Sequence, residues 1–114
     1  MLLKLEKVLK LLHGKQLTKC FDCNKEITMI KAADLMSDVL TSFNPGSLLI
    51  TGLVNAQSVR TAEIVDSAAI MYVRGKKPNQ ETIKLADSRN ICLLCTEYSM
   101  FKVCGILYSN GLKE

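Results

Sequence analysis

Five cysteines are the residues best suited to chemistry in this sequence, and four of them stand in two Cys-x-x-Cys pairs. One pair lies in Lys19-Cys20-Phe21-Asp22-Cys23-Asn24, the other in Asn90-Ile91-Cys92-Leu93-Leu94-Cys95-Thr96. Such spacing suits either a thiolate-held metal or a redox-active dithiol. A four-coordinate zinc holds each sulfur at about 2.3 Å, so its sulfurs lie roughly 4 Å apart. Residues 91–96 read as a buried strand, in which residues three apart are about 10 Å from each other and point to opposite faces. Cys92 and Cys95 therefore do not grip one ion, and packed thiols are expected at both. Cys20 and Cys23 differ, because Asp22-Cys23-Asn24 can turn. A metal there needs two further ligands, and His13 is the chain's one histidine. Cys95 stands before the last helix, where the helix dipole would lower its pKa. A metal-binding or redox-active protein using Cys20/Cys23 or Cys95 is the alternative reading; no metal or cofactor is assigned.

A second set of candidates lies where strands give way to helices. Ligands of open α/β sheets bind outside the carboxyl ends of the strands, where loops and helix N-termini meet. Such places here hold Asp34, then Thr51, Asn55 and Gln57, then Arg74 and Gly75, and finally Thr96. Donors, a carboxylate and cations in this mixture suit a small anionic or nucleotide-like ligand. Asp34, Asn55 and Asn79 also have the character of helix N-caps, and Arg74, Lys76 and Lys77 that of a solvated loop. No glycine-rich phosphate loop of the GxGxxG or Walker kind is present. No histidine accompanies a nucleophile and no close carboxylate pair stands at a strand end, so no catalytic residue is assigned and no enzyme is expected.

The elements that must position these residues follow from periodicity. Leu2, Leu5, Val8, Leu9 and Leu12 share one face of a helix predicted over residues 2–13, with Gly14 as its stop. Residues 17–21 and 27–32 are short strand candidates around the turn-like DCNKE. A helix follows from Asp34 to Phe43, with Met36, Val39, Leu40 and Phe43 on one side. Residues 47–53 and 68–73 are apolar runs of the kind buried parallel strands need, and the helix between them, from Asn55 to about Asp66, turns Val59, Ala62 and Val65 inward. Asn79 opens a helix to about Ser88, residues 91–96 form the next strand, and residues 97–112 a last helix. The order after residue 33 is α-β-α-β-α-β-α, which predicts one α/β domain over residues 1–114 with a mostly parallel sheet flanked by helices. In the last helix, only Lys102 and Gly105 are non-apolar between residues 100 and 108. Either it is sandwiched within the domain or its second face meets another subunit. A symmetric homodimer through Phe101, Cys104 and Tyr108 is the favoured expectation.

Composition excludes several classes. With 114 residues, 48% apolar and 23% charged, the chain has ordinary globular proportions. Its apolar runs are short for a membrane span, and Lys4, Glu6, Lys7 and Lys10 break the N-terminus, so no membrane segment or export signal is expected. An odd number of cysteines without such a signal points to reduced thiols and a cytoplasmic protein. The net charge of +4 comes from scattered basic residues, and aromatics are 5%, which argues against nucleic-acid binding.

Residues 27–40, ITMIKAADLMSDVL, together with residues 45–108, resemble the DRTGG-domain family. The resemblance rests on Asp34-Leu35-Met36-Ser37-Asp38-Val39-Leu40, Gly46-Ser47-Leu48-Leu49-Ile50-Thr51, Gly75, the stretch from Pro78 to Ala86, and that from Thr96 to Phe101. It covers the chain from about residue 27 onward, with looser similarity over residues 1–26. The family's Thr-Gly-Gly is Val73-Arg74-Gly75 here, followed by two lysines. The resemblance implies an α/β fold like the N-terminal domain of HPr kinase/phosphorylase. It also implies a non-catalytic, dimer-forming regulatory module that senses a small ligand or a protein partner. Relatives of this kind stand beside CBS domains or alone, in bacteria.

Overall fold

The computed structural model describes residues 2–114. Four strands with near-continuous apolar sequence, β4 (Ile30–Ala32), β5 (Leu48–Thr51), β6 (Ala69–Tyr72) and β7 (Leu93–Cys95), pair in parallel in that spatial order. Ile30 sits opposite Leu48, Leu48 opposite Ala69, and Ile70 opposite Leu93. Every residue of β5, β6 and β7 is buried, as strands covered on both faces must be. The expected single-domain α/β architecture with a mostly parallel sheet is therefore observed. A fifth strand, β2 (Lys15–Gln16), runs antiparallel along the outer edge of β7.

Successive strands move one way across the sheet, so their connecting helices fall on one face. These are α2 (Met36–Thr41), α3 (Ala56–Val65) and α4 (Gln80–Ser88). Met36, Val39, Val59, Ala62 and Ala86 pack there against Leu49, Ile70, Tyr72, Leu93 and Cys95. The opposite face is covered by α1 (Leu5–Leu11) and α5 (Met100–Ser109). Leu5, Val8, Leu12, Val103 and Leu107 meet Leu48, Ile50, Ala69, Met71, Cys92 and Leu94. Alternate strand residues thus feed two separate cores, which is the period-two rule of the pleat. In the core under α2–α4, the Tyr72 and Ser58 hydroxyls share a buried 2.7 Å hydrogen bond, and burial pushes the Tyr72 phenol up to about 12. Among the described residues no buried side-chain nitrogen or oxygen lacks a partner.

Several expected boundaries shift, each for a local reason. The first helix is shorter than residues 2–13, because Leu3–Lys4 (β1) pairs with Glu26–Ile27 (β3) as a separate ribbon. The expected strand over residues 27–32 is accordingly split between β3 and β4. The strand expected over residues 17–21 is replaced by β2 just before it. Beyond Leu17, whose N–H bonds Leu93 O at 2.9 Å, side chains hold the segment: the Thr18 hydroxyl accepts Leu93 N–H, and Asp87 accepts the N–H groups of Lys19 and Cys20. The last helix begins at Met100 rather than 97. Ser99 caps it, and the Thr96 hydroxyl holds Tyr98 N–H at 3.2 Å in a turn ahead of it. Asn55 and Asn79 cap α3 and α4 through their side chains as expected, accepting from Ser58 and Thr82. No helix of the described residues is long and apolar enough to cross a membrane.

Candidate functional site

The carboxyl ends of the four parallel strands bring Asp34, Thr51, Gly52, Arg74, Gly75 and the Thr96–Tyr98 segment together. Asp34 does not cap α2: Leu35 holds that position without a side-chain hydrogen bond. The carboxylate reaches across to the exit of β5 instead. Its Oδ1 accepts Gly52 N–H at 2.7 Å and the Thr51 hydroxyl at 3.2 Å, while Oδ2 lies 4.0 Å from Arg74 Nη2. Gly52 is what admits the guanidinium. A Cβ there would stand 2.6 Å from Nη2 and 3.4 Å from Asp34 Oδ1.

The Arg74-Gly75 turn is built from two consecutive left-handed residues, with φ 60° and 69°. Arginine bears a cost of about 1–2 kcal/mol in that region, whereas glycine does not. The turn is held from below, where Arg74 N–H bonds Tyr98 O and Gly75 N–H bonds Thr96 O, both at 2.8 Å. Above Gly75 lies the Glu97 carboxylate, which a Cβ would meet at 2.8 Å. The Arg74 side chain is about half exposed, and the loop lysines Lys76 and Lys77 that follow are exposed. The edge therefore presents a guanidinium in solvent, two carboxylates, and a backbone N–H already holding one of those carboxylates.

The other sequence candidates are placed differently. Thr96 is buried, and its hydroxyl donates to Leu12 O at 2.6 Å, tying the end of α1 to the sheet. Its share in the edge is its carbonyl. Asn55 spends its side-chain oxygen on the α3 cap. It borders a separate hollow of about 400 Å³ with Asn79 and Arg60, between the starts of α3 and α4. Gln57 is exposed on the first turn of α3. Among the described residues neither Asn55 nor Gln57 bonds the Asp34–Arg74 group. Two contributors were not singled out from sequence, Gly52 and the Glu97 side chain. A glycine directly after a buried strand is a signal for the first; for the second, the contact exists only across the folded sheet.

The cysteines separate as strand geometry requires. Cys92 belongs to the core under α1 and α5, Cys95 to the core under α2–α4. Burial pushes the Cys92 thiol up to about 12. It also raises Cys95, against the pull of Lys77 and Lys15. The expected dipole activation of Cys95 is thus overturned: α5 begins only at Met100, and desolvation dominates. Among the described residues no group of three His, Cys, Asp or Glu side chains is arranged to hold a metal ion.

The last helix is not sandwiched. Val103 and Leu107 face the core, while Phe101 and Tyr108 are 89% and 77% exposed. Cys104 is half-buried beside them, and burial, with Glu114 adding to it, raises its thiol. Together with Gly105, Ala32 of the edge strand β4 and Leu112, they line an apolar hollow of about 400 Å³.

No family model matches the chain, and no curated protein matches it in sequence. A solved structure does share its fold. The chain is similar to the CBS and DRTGG domains of the regulatory region of Clostridium perfringens pyrophosphatase, crystallised with the activator diadenosine tetraphosphate. The TM-score is 0.73 and the identity 17%, over 91% of this chain and 45% of that one. The chain thus spans under half the length of that neighbour. The likeness supports a DRTGG-like fold, and the neighbour is a regulatory region rather than a catalytic one.

Proposed function

We propose that this chain is a non-catalytic regulatory module of the DRTGG type that senses a small anionic or nucleotide-like ligand at the carboxyl edge of its sheet. The observation that carries the reading is the convergence of Asp34, Gly52, Arg74 and Gly75 there, with a half-exposed guanidinium at its centre. Parallel sheets bind ligands at this edge because the loops and helix starts collect there. Asp34 on Gly52 N–H and the Thr51 hydroxyl already displays how an anionic oxygen is received. Its ion pair with Arg74, open to solvent at both ends, is worth at most about 1 kcal/mol. Arg74 is therefore free to turn from Asp34 to a phosphate, which a guanidinium meets with two parallel hydrogen bonds. The likeness to a regulatory region crystallised with a dinucleotide activator favours a nucleotide over other anions. Asn55 and Gln57, on the neighbouring α3 start, are the residues left to meet the remainder of such a ligand.

In this reading the module works as a cytoplasmic homodimer, paired through Phe101, Cys104 and Tyr108. Two aromatics bury about 150–250 Å² each, which approaches half of the roughly 800 Å² that a standard interface takes from each partner. A thermal-shift panel of adenine nucleotides, dinucleoside polyphosphates and phosphorylated metabolites tests the sensing role. A dose-dependent rise in melting temperature with at least one of them is expected. A flat response to all would overturn it.

A further inference from the structure

We infer that Cys20 and Cys92, and neither sequence-adjacent pair, form a dithiol that closes to an intramolecular disulfide by exchange with small disulfides. The two sequence motifs are broken up by the fold and re-paired across it. The Cys20 thiol donates to Ile91 O at 3.3 Å, the carbonyl directly preceding Cys92. Both residues line one hollow of about 360 Å³, together with Phe21, Asp22, Lys25 and Asn90. Each member is held from its own side. The Asp87 carboxylate fixes the Lys19 and Cys20 N–H groups at 2.9 and 3.1 Å. Thr18 bridges the two segments, its hydroxyl donating to Cys20 O at 3.1 Å and accepting Leu93 N–H at 3.0 Å. Cys20 packs against the same core cluster that contains Cys92. Cys23 does not line the hollow; its carbonyl is turned to Glu6 N–H at 3.1 Å.

The half-buried Cys20 is the thiol a small molecule meets first, and Cys92, 7% exposed, is the one behind it. Deprotonated Cys20 attacks one sulfur of a small dialkyl disulfide, breaking its S–S bond and releasing one small thiol, which takes up the Cys20 proton. Deprotonated Cys92 then attacks Cys20 Sγ in the mixed disulfide and expels the second small thiol, which takes up the Cys92 proton. Two protein thiols are oxidised and one small disulfide is reduced to two thiols. Burial raises both thiols, so exchange is slow near neutrality and the pair is judged at equilibrium. The product staples the segment after β2 to the entry of β7.

The test equilibrates the full chain in glutathione buffers of increasing oxidised fraction, alkylates the remaining thiols and maps the peptides. Free thiols should fall from five to three, with Cys20–Cys92 as the dominant link and a higher melting temperature for the oxidised form. Cys23→Ser and Cys95→Ser should leave that link intact, whereas Cys20→Ser and Cys92→Ala should abolish it. The wild-type map stands alone if a variant does not fold. Five alkylated thiols at every ratio, a Cys20–Cys23 link, or a mixed disulfide at Cys20 that never resolves would each overturn the inference.

Discussion

The carboxyl edge of the sheet and the outer flank of α5 both expose unusual surface, and they do so for opposite reasons. At the edge, polar groups answer one another: Asp34 takes Gly52 N–H, Arg74 and Gly75 N–H groups take the carbonyls of Tyr98 and Thr96, and Glu97 covers Gly75. The chain has accepted two left-handed residues to build that arrangement. On the flank nothing answers. Phe101 and Tyr108 stand in solvent beside Gly105, a helix residue whose missing side chain faces open space. A glycine in mid-helix costs about 1 kcal/mol against alanine, so its presence is no help to the monomer. The contrast teaches that a satisfied polar site can wait for a small ligand, whereas an apolar face gains only from being covered.

Substitutions can break this contrast at either end, and the largest effect belongs to the flank. Phe101→Asp places two charges in the proposed dimer, one per copy. At about 2 kcal/mol for each lost hot spot, the dimer should weaken by about 4 kcal/mol, roughly a thousandfold. Monomer stability should stay within about 0.5 kcal/mol, since the side chain touches solvent. Sedimentation at micromolar concentration alongside urea melts checks both halves. A wild-type chain that sediments as a monomer contradicts the dimer itself.

Gly75→Ala acts on the edge. It forces a Cβ into a left-handed turn and against Glu97, and should cost about 1–2 kcal/mol in urea unfolding. An unchanged midpoint would mean the turn is not fixed by Thr96 and Tyr98 as described. Smallest is Asp34→Asn, which keeps an oxygen for Gly52 but removes the charge. Stability should change by less than about 1 kcal/mol, while titration calorimetry should show tighter binding of an anionic ligand, because a competing negative charge is gone. Weaker binding would assign the carboxylate a direct part in holding the ligand.

Much of the architecture was legible in residue patterns, because buried parallel strands such as SLLITGL and AAIMYV need near-continuous apolar sequence and the helices between them carry ordinary caps. Asn55 and Asn79 were readable because a cap is a contact three residues long. Asp34 was not, since its partners lie on the next strand and a cap-like residue before a helix gives no sign of reaching elsewhere. The pairing of Leu3–Lys4 with Glu26–Ile27 was hidden for the same reason. Strand alternation correctly separated Cys92 from Cys95, yet the approach of Cys20 to Ile91 and Cys92 spans most of the chain and follows from no local spacing. Of the candidate site, Arg74 and Gly75 were found where the resemblance to the DRTGG pattern departs from Thr-Gly-Gly. The φ values there show that the turn takes two consecutive left-handed residues, the first of them an arginine.

The central claim is that the Asp34–Arg74 edge receives a nucleotide-like anion, and titration calorimetry of wild type against Arg74→Ala tests it most directly. The titrant is whichever of diadenosine tetraphosphate, ATP or AMP stabilises the wild type. Wild type should bind saturably, and at a hundredfold excess over Kd its unfolding free energy should rise by about 2.7 kcal/mol. Arg74→Ala should fold normally and lose at least tenfold in affinity, while Phe101→Asp keeps the site. Wild-type affinity in Arg74→Ala, or no binding of any of the three, would contradict the account.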